Sequence, residues 1–398
     1  MFGKRLVLAS ALFVGYVAVL ALGQAVTPAL PCTEAVLAEN CTLPDCRCSG
    51  IDIPGNLTVA TTPQLVFLTF DDAVAIQNID FYREVLYNRK NPNNHNITAT
   101  FFINHEYNNY ALAHELYRLG HDIALHSMSH NPLTPYWANL NQSMWRAEVV
   151  DQRQQMATLA RIPVADVKGF RAPFLQTGGD VMYSVLQEGG FQWECSRPTL
   201  NFRKPGIWPY TNDYRSTQDC QIQPCPVGEY KGFWTVPMID MLGDNNEGCA
   251  MVDTCTPVPE TADETYDLLL KNFNDHYTTN KAPFGIFTHA AWMNGADDEG
   301  LASRKIGYAR FLDFLATKED VYIVSISRAI EWIKTPTPVA ELADFVPFQV
   351  PVKPDDCTVV RNCYYAAEQT PFPTERYMTV CDACPAVYPW LGNPLGVS

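Results

Sequence analysis

Leu65-Val66-Phe67-Leu68-Thr69-Phe70-Asp71-Asp72-Ala73 carries an apolar, partly β-branched run straight into two adjacent carboxylates. A short apolar run ended by polar residues reads as a β-strand. Ionised carboxylates are rarely buried without a partner, so a pair closing such a strand points to a metal or a proton-transfer task. Successive strand side chains point to opposite faces, so both acids can serve one site only where the chain is already turning. The C-terminal end of a barrel strand is such a place. The alternative is an N-cap doublet for the helix that follows.

Outward from this stretch the same alternation continues. Short apolar or β-branched runs occur at Thr98–Ile103, Asp122–His126, Val167–Phe170, Phe191–Glu194, Gly285–Thr288 and Val321–Ile326. Helical patterns lie between several of them, at Ala75–Arg89, Tyr107–Leu119, Gln142–Arg161, Gly179–Glu188, Glu260–Thr278 and Leu301–Thr317, with a last helix at Arg328–Lys334 before Pro336. Strands alternating with helices mean parallel strands with crossover helices, an α/β fold. Tyr210–Pro259 breaks the rhythm with four cysteines and many Pro and Gly, and reads as a disulfide-stapled excursion. Beyond Pro336 a tail rich in Pro, Tyr and Cys lacks the periodic apolar residues of a core and is expected to wrap the main domain.

The 398 residues are 47% hydrophobic and 18% charged, enough to bury a sizeable core. A net charge of -15 disfavours nucleic acid and anionic membranes, both of which need a positive field. Lys4 and Arg5 precede an apolar run from Leu6 to Leu22, and Ala21 and Gly23 fit a small-x-small cleavage site. Residues 1–23 therefore read as a secretory signal peptide, with a signal anchor as the alternative. Secretion, an extracellular location and no membrane contact after signal removal follow as expectations. So does a monomer.

Thirteen cysteines agree with export, as do sequons at Asn40, Asn56, Asn96 and Asn141. Close spacings suggest the pairs Cys46/Cys48, Cys220/Cys225, Cys249/Cys255, Cys357/Cys363 and Cys381/Cys384, though spacing alone does not fix connectivity. A further expectation is that the tail cysteines bridge to those near the N-terminus. The odd count leaves one over, and Cys195, remote from any partner, is the candidate. Four segments result: the signal, a Cys-rich stretch at 24–63, a catalytic domain at 64–335 and the tail at 336–398.

His126-Ser127-Met128-Ser129-His130 is the second chemical signal, again at a strand end. Histidines four apart lie on one face of a helical turn, which suits two nitrogens on one zinc. Joined by an aspartate from the first strand, they supply three ligands and leave a position for water, as a catalytic zinc requires. Arg171-Ala172-Pro173-Phe174, Thr288-His289 and Trp208–Tyr214 are bland alone: a salt-bridged Arg, a core-edge His, an aromatic loop.

Taken in order, these stretches resemble the five motifs of the polysaccharide deacetylase family, whose catalytic module is also called the NodB homology domain, and especially insect-type chitin deacetylases. The resemblance runs from about Leu65 to Lys334, through Thr69–Asp72, His126–His130, Arg171–Phe174, Trp208–Tyr214 and Phe287-Thr288-His289. It implies a distorted (β/α) barrel of seven or eight strands, with disulfide-stapled loops and Cys-rich terminal extensions. It also implies that Asp72, His126 and His130 hold Zn2+ (or another divalent transition metal such as Co2+), that Asp71 is the general base, and that His289 is the general acid. Arg171 would orient Asp71, Asp213 would do the same for His289, and the Phe174 N–H would serve the oxyanion. Ala73, Phe174 and Phe287 replace the family's frequent Gly, Tyr and Leu, and the last of these bears on the acetyl pocket.

The implied reaction is hydrolysis of the N-acetyl group of N-acetylglucosamine units in chitin or its oligomers, giving chitosan and acetate. Trp193, Trp208, Tyr210, Trp234 and Trp292 are core residues or sugar-stacking rings, with Trp208 and Trp292 nearest the implied site. The N-terminal segment is too small for the separate chitin-binding domain that some relatives carry. Two other functions fit the same motifs: a non-catalytic chitin-binding protein on this fold, and a deacetylase of another acetylated polysaccharide such as peptidoglycan or xylan.

Overall fold

The computed structural model describes residues 26–33, 40–294 and 299–398. The expected signal peptide, 1–23, lies outside the described residues.

Strand β1 (Gln64–Asp71) is buried at every position. Its side chains alternate between two cores: Val66, Leu68 and Phe70 join one, Leu65 and Phe67 the other. That double burial is why the strand reads as an unbroken apolar run rather than as alternation. Strands β2 (Thr100–Ile103), β3 (Asp122–Leu125), β4 (Gly169–Phe170) and β5 (Trp193–Glu194) follow in parallel order on one side of β1. Two further strands, β6 (Tyr210–Asn212) and β7 (Tyr230–Thr235), lie in the Cys-rich excursion, where no strand was expected. β7 pairs parallel with β5, and β6 pairs antiparallel with β7 at the edge. On the other side of β1 lies β8 (Phe284–His289), while β9 (Val321–Ile323) pairs with the start of β1.

The sheet curls. Phe67, Phe102, Ala124, Trp193, Trp234 and Phe287, drawn from strands along the whole ladder, share one inner core. Eight helices pack on the outer face: α1 (Ile79–Leu86), α2 (Tyr110–Arg118), α3 (Thr134–Asn139), α4 (Gln142–Trp145), α5 (Asp151–Leu159), α6 (Gly179–Glu188), α7 (Ala262–Tyr277) and α8 (Glu299–Leu315), whereas α9 (Ile326–Lys334) places Ile326, Ala329, Ile330, Trp332 and Ile333 in the inner core. A single π-helical turn, Arg146–Val150, joins α4 to α5. Helix α1 begins four residues later than its pattern suggested, because Asn78 Oδ1 accepts the Ala75 N–H at 2.8 Å and closes a turn there. The architecture is a mixed α/β fold with parallel strands, consistent with the expected distorted barrel. No ladder joins β6 to β8 among the described residues, so the circle is open at that edge.

The disulfides correct several expectations. Cys32–Cys48 and Cys41–Cys46 close the N-terminal segment on itself, and Cys357–Cys381 and Cys363–Cys384 close the tail on itself. The two ends are therefore not stapled together. Cys46/Cys48, Cys357/Cys363 and Cys381/Cys384 are not pairs either. In the tail, Cys363 sits on one strand of a hairpin, β10 (Arg361–Tyr365) and β11 (Arg376–Val380), and both bridges reach residues in or just after β11. Cys220–Cys225 and Cys249–Cys255 do pair locally, and Cys195 is free and buried.

The tail lies against the exit of β2. Arg376 and Glu106 form an ion pair at 2.8 Å, and His105 Nε2 lies 2.8 Å from the Pro389 carbonyl. Asn109 bridges to Thr379.

Candidate active site

Asp71 and His289 are register partners on the adjacent parallel strands β1 and β8, so the ladder itself brings the two strand ends together. Two other segments, the loops His126–His130 and Arg171–Phe174, turn toward them, and the backbone there and at Asp72 is unusual. Asp72, Ser127, His130 and Phe174 adopt φ of 79°, 77°, 43° and 56°, the left-handed region that non-glycine residues avoid. Each such residue costs on the order of 1–3 kcal/mol and persists only where its surroundings over-determine it. At Asp72 the left-handed residue comes just where the strand stops. There the chain turns, and both carboxylates can serve one site.

Asp72, His126 and His130 each offer one ligand atom within 4.8 Å of the others. His130 Nε2 is 3.5 Å from Asp72 Oδ1, close to the spacing of about 3.4 Å between donors on a tetrahedral ion. His126 Nδ1 donates to the Arg171 carbonyl at 2.8 Å, which fixes the tautomer and leaves Nε2 free to ligate. Burial, then the neighbouring His130, pushes the His126 imidazole well down, so it is neutral as a ligand must be. Asp72 Oδ1 is itself buried without a hydrogen-bond partner, an arrangement that is costly unless something binds there. These donors fit a divalent metal.

Beside them Asp71 is held by Arg171. Arg171 Nη1 donates to Asp71 Oδ1 at 2.6 Å and to Thr69 Oγ1 at 3.0 Å. The guanidinium is fully buried, with its Cζ 3.9 Å from the Phe102 ring centroid and 5.0 Å from that of Phe287. Its Nε donates to the Cys195 carbonyl at 2.7 Å and its Nη2 to the Cys195 Sγ at 3.1 Å. Burial pushes the Cys195 thiol up to about 11, so the free cysteine is neutral and accepts from Arg171 instead of acting as a nucleophile. The second oxygen of Asp71, 3.8 Å from His126 Nε2, faces the metal donors.

His289 differs from expectation. Its Nδ1 lies 2.6 Å from Asp253 Oδ2, and the same oxygen accepts the His289 backbone N–H at 2.9 Å. Burial pulls the imidazole down, but the Asp253 hydrogen bond and the charges of Asp71, Asp253 and Asp72 outweigh it and raise His289 to about 9. Nε2 points at the metal donors, 3.9 Å from Asp72 Oδ2. Asp213, expected in this role, lies beyond β6 at the sheet edge, where it accepts the Gly232 N–H at 3.0 Å. The chain after β6 leaves along the edge strand, whereas Asp253 sits in a short turn, Val252–Thr254, packed against β8. Sequence reasoning missed it, although it is the only acid between the closely spaced Cys249 and Cys255.

The aromatic expectations divide as well. Trp193, Trp208, Tyr210 and Trp234 are fully buried, and Trp208 stacks on Trp332 at 5.8 Å, so none presents a face to a sugar. Trp292 is nearly buried too, with Arg304 over its ring. Phe287 points into the inner core. Phe174 is the exception: it is 46% exposed, with its ring 5.1 Å from that of His130.

Glu148, also missed, organises the histidine loop. It is fully buried on the π-helical turn and accepts the Ser129 N–H at 2.9 Å, the Ser129 hydroxyl at 2.5 Å and the Tyr136 hydroxyl at 2.7 Å, while its carbonyl accepts the Met128 N–H. A π-turn inserted in a helix frequently marks such a site. The loop between the two histidines is thus clamped from behind.

The arrangement offers a buried carboxylate hydrogen-bonded by Arg171, a metal-competent donor set and a protonated imidazole, the last two opening to solvent at Asp72 and His289. The side chains of Asp72 and His289 are 46% and 35% exposed, so the site is an open cleft and not an enclosed pocket.

Residues 58–192 match the family model described as polysaccharide deacetylase. Chitin deacetylase 8 of Bombyx mori is 41% identical over 381 residues, covering 94% of this chain and 96% of its own. Chitin deacetylase 1 of Bombyx mori is 35% identical over 375 residues, covering 90% of this chain and 68% of its own. Among solved structures, the chitin deacetylase from the fungal pathogen Colletotrichum lindemuthianum matches 67% of this chain and 88% of its own at 14% identity, with a TM-score of 0.35.

Proposed function

The chain belongs to the polysaccharide deacetylase family, and from that premise we propose that it is a zinc-dependent, secreted chitin deacetylase that releases acetate from N-acetylglucosamine units. The observation that carries this reading is the meeting of Asp71, held by Arg171, with His289, held by Asp253, beside the donors Asp72, His126 and His130. An open cleft suits a polymer, and a chain of -15 suits a neutral or cationic polymer better than an anionic one. The six disulfides and the sequons support export, and among the described residues no helix is long and apolar enough to cross a membrane. A monomer is part of this reading.

Asp72, His126 and His130 hold the zinc. Bound there, zinc polarises a carbonyl and lowers the pKa of a water, to about 7 in model sites. Asp71 takes the proton of the attacking water, aimed by its hydrogen bond from Arg171. The Phe174 N–H donates to the oxygen that gains negative charge. An amine leaves poorly as an anion, so His289 must deliver a proton from Nε2 to the departing nitrogen, and Asp253 keeps it protonated to do so. Acetate and a glucosamine unit result.

The test is acetate release from N-acetylglucosamine oligomers with zinc present, beside peptidoglycan and acetylated xylan. Release from the oligomers ahead of the other two supports the reading. Chitin binding without release would make the chain a non-catalytic binder, and preference for another polymer would move the substrate.

A further inference from the structure

A second feature lies on the same end of the sheet as the site, outside the residues that do chemistry. The chain leaving Asp72 runs through Ile76 and Gln77, and across from it stands the outer face of the tail hairpin. In that hairpin Cys363, Tyr365, Met378 and Val380 point inward and are buried. The alternate positions Asn362, Tyr364, Tyr377 and Thr379 therefore face outward. Between hairpin and loop lies a groove of about 230 Å³, lined by Ile76, Gln77, Tyr107, Asn109, Asn362 and Tyr377 among others. It is smaller than the roughly 300–1,000 Å³ of enclosed small-molecule sites, as expected of one position along an open cleft.

Its chemistry is selective. Ile76, Tyr107 and Tyr377 are 72%, 69% and 65% exposed, a cluster of large apolar groups that a soluble surface ordinarily covers. Tyr364, the register partner of Tyr377, carries the aromatic surface further, with ring centroids 5.2 Å apart. Between the rings stand carboxamides and a hydroxyl. No charged side chain lines the groove, in a chain with 71 charged residues (28 Lys and Arg, 43 Asp and Glu). Exposed rings with neutral donors and acceptors match a ligand that has apolar C–H faces and hydroxyl or amide edges and no charge. They do not match an anion, a cation or a purely apolar chain.

The groove's loops are tied to the strands that carry the site. Ile76 is four residues past Asp72, within about 14 Å along the chain. Asn294 Nδ2, on the segment that leaves β8 after His289, donates to the Gln77 carbonyl at 2.5 Å. Asn108 Oδ1 accepts the Val74 N–H at 3.2 Å, and the Asn109 N–H donates to the Val74 carbonyl at 2.7 Å. The loops carrying the aromatic rings are thus fastened to both catalytic strands.

We propose that this groove, roofed by the C-terminal hairpin, is a subsite for a neutral N-acetylglucosamine unit flanking the one being deacetylated. The proposal deepens the deacetylase reading and rests on it for the identity of the sugar. The tail is then part of the substrate cleft.

The experiment compares wild type with the double variant Tyr107→Ala/Tyr377→Ala and with Tyr107→Phe/Tyr377→Phe, which keeps the ring faces. Three measurements are made: acetate release from the N-acetylglucosamine hexamer, hydrolysis of a small aryl acetate, and hexamer binding by calorimetry. The alanine variant should raise KM and weaken binding for the hexamer on the order of tenfold, the scale of two ring contacts, and leave the aryl acetate rate unchanged. The phenylalanine variant should behave as wild type. Equal losses on aryl acetate and hexamer, or unchanged hexamer binding in the alanine variant, would overturn the subsite. Calorimetry separates the two proposals: hexamer binding that depends on the rings, without acetate release from any sugar, defeats the catalytic reading and leaves the groove standing.

Discussion

Asp253 Oδ2 lies 2.6 Å from His289 Nδ1 and also accepts the His289 backbone N–H, so one carboxylate oxygen fixes the orientation of the imidazole and favours its charged form. With the charges of Asp71 and Asp72 added, His289 stands near 9 and is protonated at neutral pH.

Removing that carboxylate charge should therefore move the alkaline side of the pH–rate profile. In Asp253→Asn, His289 loses its hydrogen-bonded anion and titrates lower, so the acid form disappears at lower pH. The alkaline limb of kcat/KM should move down by at least about one pH unit, with a rate loss of about tenfold or more at pH 8. An unmoved limb would exclude His289 as the acid held by Asp253. Asp213→Asn, remote at the sheet edge, should leave the profile in place.

Asp71→Asn keeps the shape of the side chain and removes its ability to take a proton. Turnover should fall by about 10²–10⁴ while zinc content, measured on the purified protein, stays at the wild-type level. Loss of metal in parallel with activity would place Asp71 among the ligands instead.

Arg171 is buried around a single carboxylate, and a buried pair broken on one side leaves an uncompensated charge. Arg171→Met should lower unfolding stability in urea by about 3–5 kcal/mol. A cost below 1 kcal/mol would mean that water enters and replaces the guanidinium.

Glu148 holds the loop between His126 and His130 through Ser129 and Tyr136 without reaching the donor atoms. Glu148→Ala should weaken zinc binding about 10–100-fold in a competition assay with a chromogenic chelator. Chelation of wild type should abolish acetate release, and added Zn2+ or Co2+ should restore it.

Asp240, buried at the end of Met238–Ile239, offers a test of stability alone. Burial, with Asp219 adding to it and a Gln221 hydrogen bond opposing, lifts its carboxyl to about 6. A raised folded-state value means that its contribution is full below the unfolded value of about 4 and is lost as pH rises through 6. Asp240→Asn should therefore be more stable than wild type at pH 8, by up to about 3 kcal/mol, and lose that advantage toward pH 4. Equal stabilities at pH 8 would show that Asp240 is hydrated.

The fold and its exposed aromatic surface were legible only in part. The runs predicting strands all fall in the main sheet, because a strand buried on both faces must be apolar throughout, and that signal is local. β6 and β7 escaped because Pro, Gly and Cys around them mask any period. The five tryptophan and tyrosine candidates for sugar contact proved buried, since ring chemistry alone does not reveal which side of a curled sheet a ring occupies. Exposed rings stand instead on the hairpin, in a tail whose composition suggested only a wrapping segment.

By itself the sequence determined the alternation of strands and helices and the spacing of Asp71, Asp72, His126, His130, Arg171 and His289, because each depends on residues close together in the chain. The tertiary structure alone decided that Asp253 and not Asp213 meets His289, that Glu148 backs the histidine loop, and that the two Cys-rich ends close separately. Those are pairings between segments tens of residues apart. Their partners are selected by how the sheet curls and where the loops leave it, which no local pattern of residues encodes.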